Sequence, residues 1–357
     1  MPPELVVAGA GMAGLAAAAR ARELGADVVV LEKLDRPGGS MRLSSGVAWR
    51  HRSFERFRAD CPAGDAALQR LVWGRLDEAL GWLESLGAPV RARETGNPET
   101  AGVRFDPEGL TEALVAAAGE VRLGEPLREL PSGVPVVLAT GGFQADRELV
   151  RRHVTPYADD LLLRAAPGST GDGLRLGRAA GGRASAGLGE VYGRCMPAPP
   201  ARVEPRDFVS AAQLYARHAE VTNARGELFA TSTWSEIDVL QWAARQPGAR
   251  AWYRVRPDAL EERVRERTVA EMVEAAESAG APVRREPDAI VVETVAGITS
   301  TLGGLAIDSS CRVAPGVYAC GGDAGGIATG GYASGLAAAL VLGRTAAESA
   351  LEDGAGP

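Results

Sequence analysis

The chain has 357 residues, of which 46% are hydrophobic and 24% are charged, and its formal net charge is −7. This length suggests about two domains, and the acidic balance argues against a nucleic-acid-binding surface. Three histidines and four scattered cysteines make a zinc site improbable, and they form no disulfide pattern. Spare thiols of this kind fit the cytoplasm.

The N-terminal stretch predicts neither a targeting segment nor a membrane anchor. An apolar strand begins by residue 4, which leaves no room for a signal peptide. No apolar stretch approaches the length of a membrane span. We therefore expect no membrane partner, no nucleic-acid partner and no metal.

Residues 4–33 form a complete nucleotide-binding pattern. A short apolar strand leads into Gly9, Gly11 and Gly14, spaced G-x-G-x-x-G, and an alanine-rich helix and a second strand ending in Glu32 follow. Gly9 permits the tight turn, Gly11 lets the backbone approach a pyrophosphate, and Gly14 lets helix and strand pack closely. Glu32 should accept hydrogen bonds from ribose hydroxyls, which disfavours a 2′-phosphate. The pattern predicts FAD or NAD binding.

Four later segments also contain glycines that would let the backbone approach a ligand closely. Residues 36–49 contain Gly38-Gly39, 134–146 read as a strand ending in Ala-Thr-Gly-Gly, and 168–182 read as a turn and a helix. Residues 316–347 combine a strand, a glycine-rich loop with Asp323, and a helix that opens near Ser334.

The region between these segments has a different composition. It includes a proline-rich stretch at 195–205 and a charged segment at 258–280 whose apolar spacing predicts a solvated amphipathic helix. If 214–219 is a strand, Tyr215 and Arg217 share one face. Residues 297–308, GITSTLGGLAID, read as a strand interrupted by two glycines.

In this order, the segments resemble the flavoprotein family of fumarate reductase, succinate dehydrogenase, 3-ketosteroid dehydrogenase and tricarballylate dehydrogenase. The chain looks like a shortened member close to the ketosteroid and tricarballylate branch. The resemblance implies an α/β fold, in which a Rossmann-like FAD-binding domain of the glutathione-reductase type carries an inserted small α+β capping domain. The expected FAD-binding domain comprises 1–187 and 295–357, and the cap comprises 188–294.

The resemblance also implies non-covalent FAD, because SMRLSSG lacks the histidine that some relatives carry. The helix opening at Ser334 would place its positive end at the flavin. The glycines of 297–308 would let the backbone return beside the flavin. The expected cofactor-binding residues are Gly9, Gly11, Met12, Ala13, Gly14, Glu32, Lys33, Gly38, Gly39, Ser40, Ser44, Ser45, Gly46, Ala139, Thr140, Gly141, Gly142, Asp172, Gly322, Asp323, Ser334, Gly335 and Leu336.

The chain departs from fumarate reductases at their dicarboxylate-binding positions. Ser300 stands where they carry a histidine. Their proton-donating arginine would fall at or near Gly330, so this chain lacks it. The cap motif R-F-x-x-E reads Leu228, Phe229 and Ser232, and so loses both charges. Fumarate and succinate are therefore rejected as substrates.

The catalytic candidates that remain are Tyr332, Ser300 and Tyr215. Tyr332 could act as an acid or base, or pack under the helix start, and Ser300 could bind a substrate carbonyl or satisfy backbone groups. Trp49 and Trp234 could form an apolar substrate wall or belong to the core. His51 and His153 lie in arginine-rich, apparently helical contexts and read as surface residues.

The leading hypothesis is an FAD-dependent dehydrogenase or ene-reductase. It would act on the C–C bond beside a carbonyl of a moderately apolar small molecule and exchange hydride with flavin N5. The alternatives are another flavin enzyme (amine oxidase, monooxygenase or isomerase) and an inactive flavin-binding partner subunit. The electron acceptor is open, and a homodimer is one expectation.

Overall fold

The computed structural model describes residues 3–230 and 236–354, and it divides into two compact units. Unit 1 comprises Met1–Asp146, Ala166–Glu190 and Thr301–Pro357, and unit 2 comprises Arg147–Ala165 and Val191–Ser300. The expected cap of 188–294 covers most of unit 2 but omits its first segment, Arg147–Ala165. Ser232 and Trp234 lie outside the described residues.

A six-stranded sheet forms the centre of the described part of unit 1. Strands and helices are numbered in chain order, and the sheet strands are β1 (Leu5–Ala8), β2 (Val28–Glu32), β6 (Glu120–Leu123), β7 (Val136–Leu138), β16 (Arg312–Ala314) and β17 (Val317–Ala319). They lie in the order β16-β17-β7-β1-β2-β6, and every neighbouring pair is parallel except β16 with β17. The predicted α/β, Rossmann-like fold is confirmed.

Helices and a second sheet complete unit 1. The helices are α1 (Met12–Glu23), α2 (Phe54–Asp60), α3 (Ala66–Ser85), α4 (Pro107–Ala118), α6 (Asp172–Ala179) and α9 (Gly335–Gly354). The second sheet consists of β3 (Val47–His51), β5 (Thr100–Phe105) and β4 (Val90–Ala92), all antiparallel.

Small residues let α1 pack closely on its neighbours. Ala16, Ala17 and Ala18 are fully buried in the core of unit 1. On the facing helix α9, a Cβ at Gly343 would clash with the carbonyl of Ala13. The alanine-rich sequence therefore serves close packing as well as helix propensity.

Unit 2 combines a mixed sheet with short helices. Its strands are β8 (Leu162–Leu163), β9 (Val191–Pro197), β10 (Ala219–Thr222), β11 (Arg250–Val255), β12 (Arg263–Val264), β13 (Arg267–Thr268), β14 (Val283–Arg285) and β15 (Ile290–Thr301), and its helices are α5 (Arg147–His153), α7 (Glu236–Ala243) and α8 (Val269–Ser278). The central strand β15 pairs with β8, β9, β11 and β14, and β10 pairs with β11.

Two predicted elements of the cap are wrong. The stretch 214–219 is not a strand, because a 3-10 turn at Ala216–His218 precedes β10. The amphipathic helix is shorter than 258–280, because the hairpin of β12 and β13 comes first. Helix α8 begins after Thr268, whose hydroxyl caps the Glu271 N–H while the Glu271 side chain accepts the Thr268 N–H.

The paired glycines of 297–308 make room for protein backbone. A Cβ at Gly303 would clash with the backbone of Leu188, and a Cβ at Gly304 would clash with the carbonyl of Asp323. Both neighbours belong to unit 1. Close packing of three backbone segments is therefore sufficient to explain these glycines.

Candidate cofactor and active-site residues

The glycine-rich turn after β1 leaves the start of α1 open to an anion. A Cβ at Gly14 would clash with the Gly9 carbonyl, whereas a Cβ at Gly11 would meet no heavy atom within 4 Å. Gly11 is the N-cap of α1, whose first turn contains no acidic residue, and no described side chain caps it. The N–H groups and positive end of the helix are thus available to a phosphate group. Met12 and Ala13 are buried in this first turn.

Glu32 stands at the end of β2 and supports the same turn. Its Oε2 accepts the Ala10 N–H at 2.7 Å and its Oε1 accepts the Leu34 N–H at 2.8 Å. A carboxylate has about four acceptor sites, so the two that remain suit ribose hydroxyls. Glu32 is 8% exposed, so part of the residue stays accessible.

The second glycine pair lies against the first turn. The Gly38 N–H donates to the Ala10 carbonyl at 2.7 Å, and a Cβ at Gly39 would lie 3.5 Å from the Gly11 Cα. Gly38 and Gly39 have φ of 101° and 49°, which favour glycine. Ser40 accepts the Ala166 N–H at 3.0 Å. The structure therefore brings together segments about 30 residues apart that the sequence predicted to share one ligand.

Lys33 and Asp172, predicted as cofactor residues, bind each other. The Lys33 ammonium lies 2.7 Å from an Asp172 carboxylate oxygen and also contacts the Thr170 hydroxyl. This contact fixes the start of α6 against the end of β2. Both side chains are partly exposed, so direct contact with a ligand stays a prediction.

Asp323 is buried under the loop that follows β7. Its carboxylate accepts the N–H and hydroxyl of Thr140, the latter at 3.1 Å, and the Gly142 N–H at 3.3 Å. Burial raises the pKa of Asp323 to about 6. The hydrogen-bond donors favour the charged carboxylate and partly oppose this rise. Gly322 is equally confined, since a Cβ there would lie 2.7 Å from the Gly141 carbonyl carbon. Ala139 follows β7 directly and is buried.

A serine joins the start of α9 to strand β3. The Ser334 Oγ accepts the Trp49 N–H and the Ala337 N–H, both at 3.3 Å, and lies 3.4 Å from the Val47 carbonyl. Gly335, the first residue of α9, is exposed, and Leu336 is half-buried. The helix start that the sequence predicted is thus accessible.

The residues before β3 form a short turn. The Ser44 hydroxyl donates to the Met41 carbonyl at 2.7 Å and accepts the Gly46 N–H at 3.0 Å. Ser45 is exposed, and Gly46 has a φ of 71°. Ser45 therefore keeps its hydroxyl for other partners, while Ser44 shapes the turn.

Tyr332 lies beside Trp49 in unit 1. The two rings meet edge to face with centroids 5.7 Å apart. Both side chains are half-buried. The Tyr332 N–H is hydrogen-bonded to the buried Cys61 thiol, and burial raises the pKa of Cys61 to about 12, so the thiol stays neutral.

The other two catalytic candidates belong to unit 2. Ser300 is half-buried near the end of β15. Tyr215 is fully buried, and its hydroxyl has no hydrogen-bond partner in the described structure. Burial raises the pKa of Tyr215 above its ordinary value, which keeps the phenol protonated. Such enclosure gives no support to contact between Tyr215 and a substrate.

The prediction that His51 is a helical surface residue is wrong. His51 ends strand β3, is 4% exposed, and stacks on Phe57 with ring centroids 5.2 Å apart. Its Nε2 lies 3.0 Å from the Asp60 carboxylate. Burial lowers the pKa of His51, and Asp60 opposes that shift. His153 ends the short helix α5 and is half-buried.

Within the described residues, no group of three or more histidine, cysteine or acidic side chains could hold a metal ion. The same residues contain no helix that is long and apolar enough to cross a membrane. The polar groups of unit 1 instead fit FAD. It offers an open helix start for phosphate, a carboxylate with spare acceptor sites for ribose, and a second accessible helix start at Gly335.

Sequence comparison agrees with this fit. The profile of the FAD binding domain family matches residues 133–336, and that of an NAD(P)-binding Rossmann-like domain matches residues 7–63. A fumarate reductase (cytochrome) of Shewanella frigidimarina is 26% identical over 230 residues, covering 50% of this chain and 40% of that one. The chain thus matches less than half the length of this curated relative.

Solved structures share the fold along nearly the whole chain. The 3-ketosteroid-Δ4-(5α)-dehydrogenase of Rhodococcus jostii, in complex with 4-androstene-3,17-dione, has a TM-score of 0.72 at 20% identity and covers 98% of this chain and 96% of that one. The 3-ketosteroid Δ1-dehydrogenase of Sterolibacterium denitrificans, in complex with 1,4-androstadiene-3,17-dione, has a TM-score of 0.72 at 16% identity, with coverages of 98% and 99%. At these identities the likeness shows the fold alone.

Proposed function

Because this chain belongs to the FAD binding domain family, we propose that it is an FAD-dependent oxidoreductase acting on the C–C bond beside a carbonyl group. The proposed substrate is a moderately apolar small molecule, and the reaction is its desaturation or the reverse reduction. FAD supplies the hydride acceptor or donor when it is bound. The chain's own residues hold the cofactor and move the second proton.

The observation that carries the proposal is the pair of Tyr332 and Trp49 in unit 1. A tyrosine hydroxyl can give or take a proton in a reaction beside a carbonyl. The edge-to-face contact with Trp49 restricts the rotation of the phenol and offers an apolar surface to the substrate. Tyr332 is therefore the proposed acid–base residue, and Ser300 stays a prediction as a carbonyl-binding group.

Fumarate is not the proposed substrate, although a fumarate reductase is among the sequence relatives. Two carboxylates need positive side chains for binding, and the resemblance places Ser300, and a position at or near Gly330, where fumarate reductases carry a histidine and an arginine. The steroid diones in the two ketosteroid dehydrogenase structures support an apolar carbonyl compound instead.

A cytoplasmic location is part of the proposal. All four cysteines are free and buried, as expected for a protein that folds in a reducing compartment.

The test uses FAD-loaded protein reduced chemically under anaerobic conditions. Mixing with a panel of cyclic enones should restore the oxidised flavin spectrum and yield the saturated ketone, whereas fumarate should not. Rapid reoxidation by fumarate with release of succinate would contradict the proposed substrate class. Failure of the purified protein to retain FAD would contradict the proposal as a whole.

A further inference from the structure

Glu190 is the last residue before the chain leaves unit 1 for unit 2, and the chain returns at Thr301. Its backbone carbonyl accepts the Leu302 N–H at 2.9 Å, next to the point of return. Its side chain reaches in another direction, since Oε2 accepts the Gly330 N–H at 2.7 Å. Glu190 therefore links the backbone at Leu302 to the glycine-rich loop before α9.

The next two amides of the loop bond uncharged acceptors. The Gly331 N–H donates to the Ala328 carbonyl at 3.1 Å, and the Tyr332 N–H bonds the neutral Cys61 thiol. Of these three successive amides, the Gly330 N–H alone has an anionic acceptor. Hydrogen bonds to a charged group are about twice as strong as neutral ones, and the Glu190 contact is the one charge-assisted bond among these three.

The loop cannot hold its shape through its own side chains. Gly330 has a φ of 82°, a conformation that favours glycine, and a Cβ at Gly331 would clash with the Asp60 carbonyl. Two successive glycines leave the position of Tyr332 dependent on the neighbours that bind this backbone. Glu190 is a charged neighbour of this backbone, and it accepts the N–H of Gly330, two residues before the tyrosine.

We propose that Glu190 is a positioning residue that seats the loop 328–332 and thereby fixes the Tyr332 phenol against Trp49. The role in turnover rests on the proposed acid–base function of Tyr332, whereas the seating of the loop does not. The hydrogen bond needs an acceptor oxygen at the length of a glutamate side chain. Glu190→Gln keeps such an oxygen, Glu190→Asp shortens the reach, and Glu190→Ala removes the acceptor.

The first measurement is amide hydrogen exchange of the FAD-loaded protein, read on peptides that cover 328–334. We expect Glu190→Ala to raise exchange there about tenfold and Glu190→Gln to stay within about threefold of the wild type. Glu190→Asp should resemble the alanine variant, and it replaces that variant if the latter fails to fold. Glu112→Ala removes an exposed carboxylate on α4 and should change nothing in this loop. Unchanged exchange in both Glu190→Ala and Glu190→Asp would overturn the proposal.

The second measurement is steady-state turnover with the carbonyl substrate found by the preceding test. Glu190→Ala should lower kcat about tenfold with KM nearly unchanged, and Glu190→Gln should restore kcat. Loss of kcat in Glu190→Gln as well as in Glu190→Ala would contradict a positioning role. If loop exchange rises in Glu190→Ala while Tyr332→Phe keeps full activity, the seating of the loop stands and the proposed role of Tyr332 fails.

Discussion

At the scale of single residues, the chemistry of unit 1 depends on how backbone and aromatic neighbours hold Tyr332. Its N–H bonds the Cys61 thiol, its ring meets Trp49 edge to face, and the same Trp49 backbone bonds Ser334. The phenol is thus connected to the start of α9 through strand β3. A group held in this way can move a proton with little reorganisation.

Tyr332→Phe removes the hydroxyl and keeps the ring contact with Trp49. We expect kcat to fall about a hundredfold, the size typical of a lost general acid or base, while FAD content stays unchanged. Tyr157→Phe, which alters a half-buried tyrosine of unit 2, is the control. Full activity of Tyr332→Phe would assign the proton transfer to another group.

His51 predicts a pH dependence of stability. Burial holds its pKa below the ordinary value of 6.5, so the folded chain binds fewer protons than the unfolded chain near that pH. The stability from neutral His51 is present above about pH 6.5 and is lost as the pH falls toward the folded-state pKa. Urea unfolding between pH 5 and about pH 8 should show a shallower decline for His51→Gln than for the wild type. His218→Gln is the control, and equal slopes in all three proteins would contradict the assignment.

The roles of residues that belong to a motif with fixed spacing could be predicted from the sequence. The roles of residues that depend on tertiary packing could not. Gly9, Gly14 and Glu32 follow from the pattern of one βαβ unit, and the structure gives each a contact that explains it. His51 gave no such signal, because its burial comes from the packing of Phe57 against strand β3. Glu190 was missed for the same reason, since its partner lies 140 residues away.

At the scale of elements, the turn between β1 and α1 separates two uses of glycine. Gly14 is required by the fold, because a Cβ there would clash with the Gly9 carbonyl. Gly11 is not required by the fold, because its φ of −83° suits any residue and a Cβ would point into open space. The space beside Gly11 is the proposed phosphate position.

Alanine substitutions at these two sites should therefore affect different properties, stability at Gly14 and FAD affinity at Gly11. Gly14→Ala should destabilise the protein by about 2 kcal/mol, the cost typical of overpacking, measured by urea unfolding without added FAD. Gly11→Ala should leave that stability nearly unchanged and weaken FAD binding at least about tenfold, measured by fluorescence titration. Normal FAD affinity in Gly11→Ala would contradict the placement of the pyrophosphate at this turn.

Element boundaries in unit 2 show where sequence reasoning fails. The charged run at 258–280 has helical spacing, yet its first part forms a hairpin and helix α8 starts only at Val269. The capping box of Thr268 and Glu271 marks that start and is visible in the sequence as T-x-x-E. The pairing of β15 with four other strands was not predictable, because it joins distant parts of the sequence and follows no local rule.

At the scale of the whole molecule, the chain has a nucleotide-binding unit and a second unit inserted into it twice. The parallel sheet and its glycine-rich turn were predictable because short buried strands and G-x-G-x-x-G occur in a fixed order. The assignment of Arg147–Ala165 to unit 2 was not predictable, because its contacts are long-range in the sequence, as in the pairing of the two-residue strand β8 with Gly297–Ile298.

The central claim is oxidation or reduction of a C–C bond beside a carbonyl, and the most direct measurement is anaerobic mixing of the oxidised, FAD-loaded protein with saturated ketones. We predict loss of the oxidised flavin absorption and an equimolar product lighter by the mass of H₂, with no change for the matching hydrocarbons. Flavin reduction by amines or by NAD(P)H, with none by any ketone and no reoxidation by any enone, would contradict the claim.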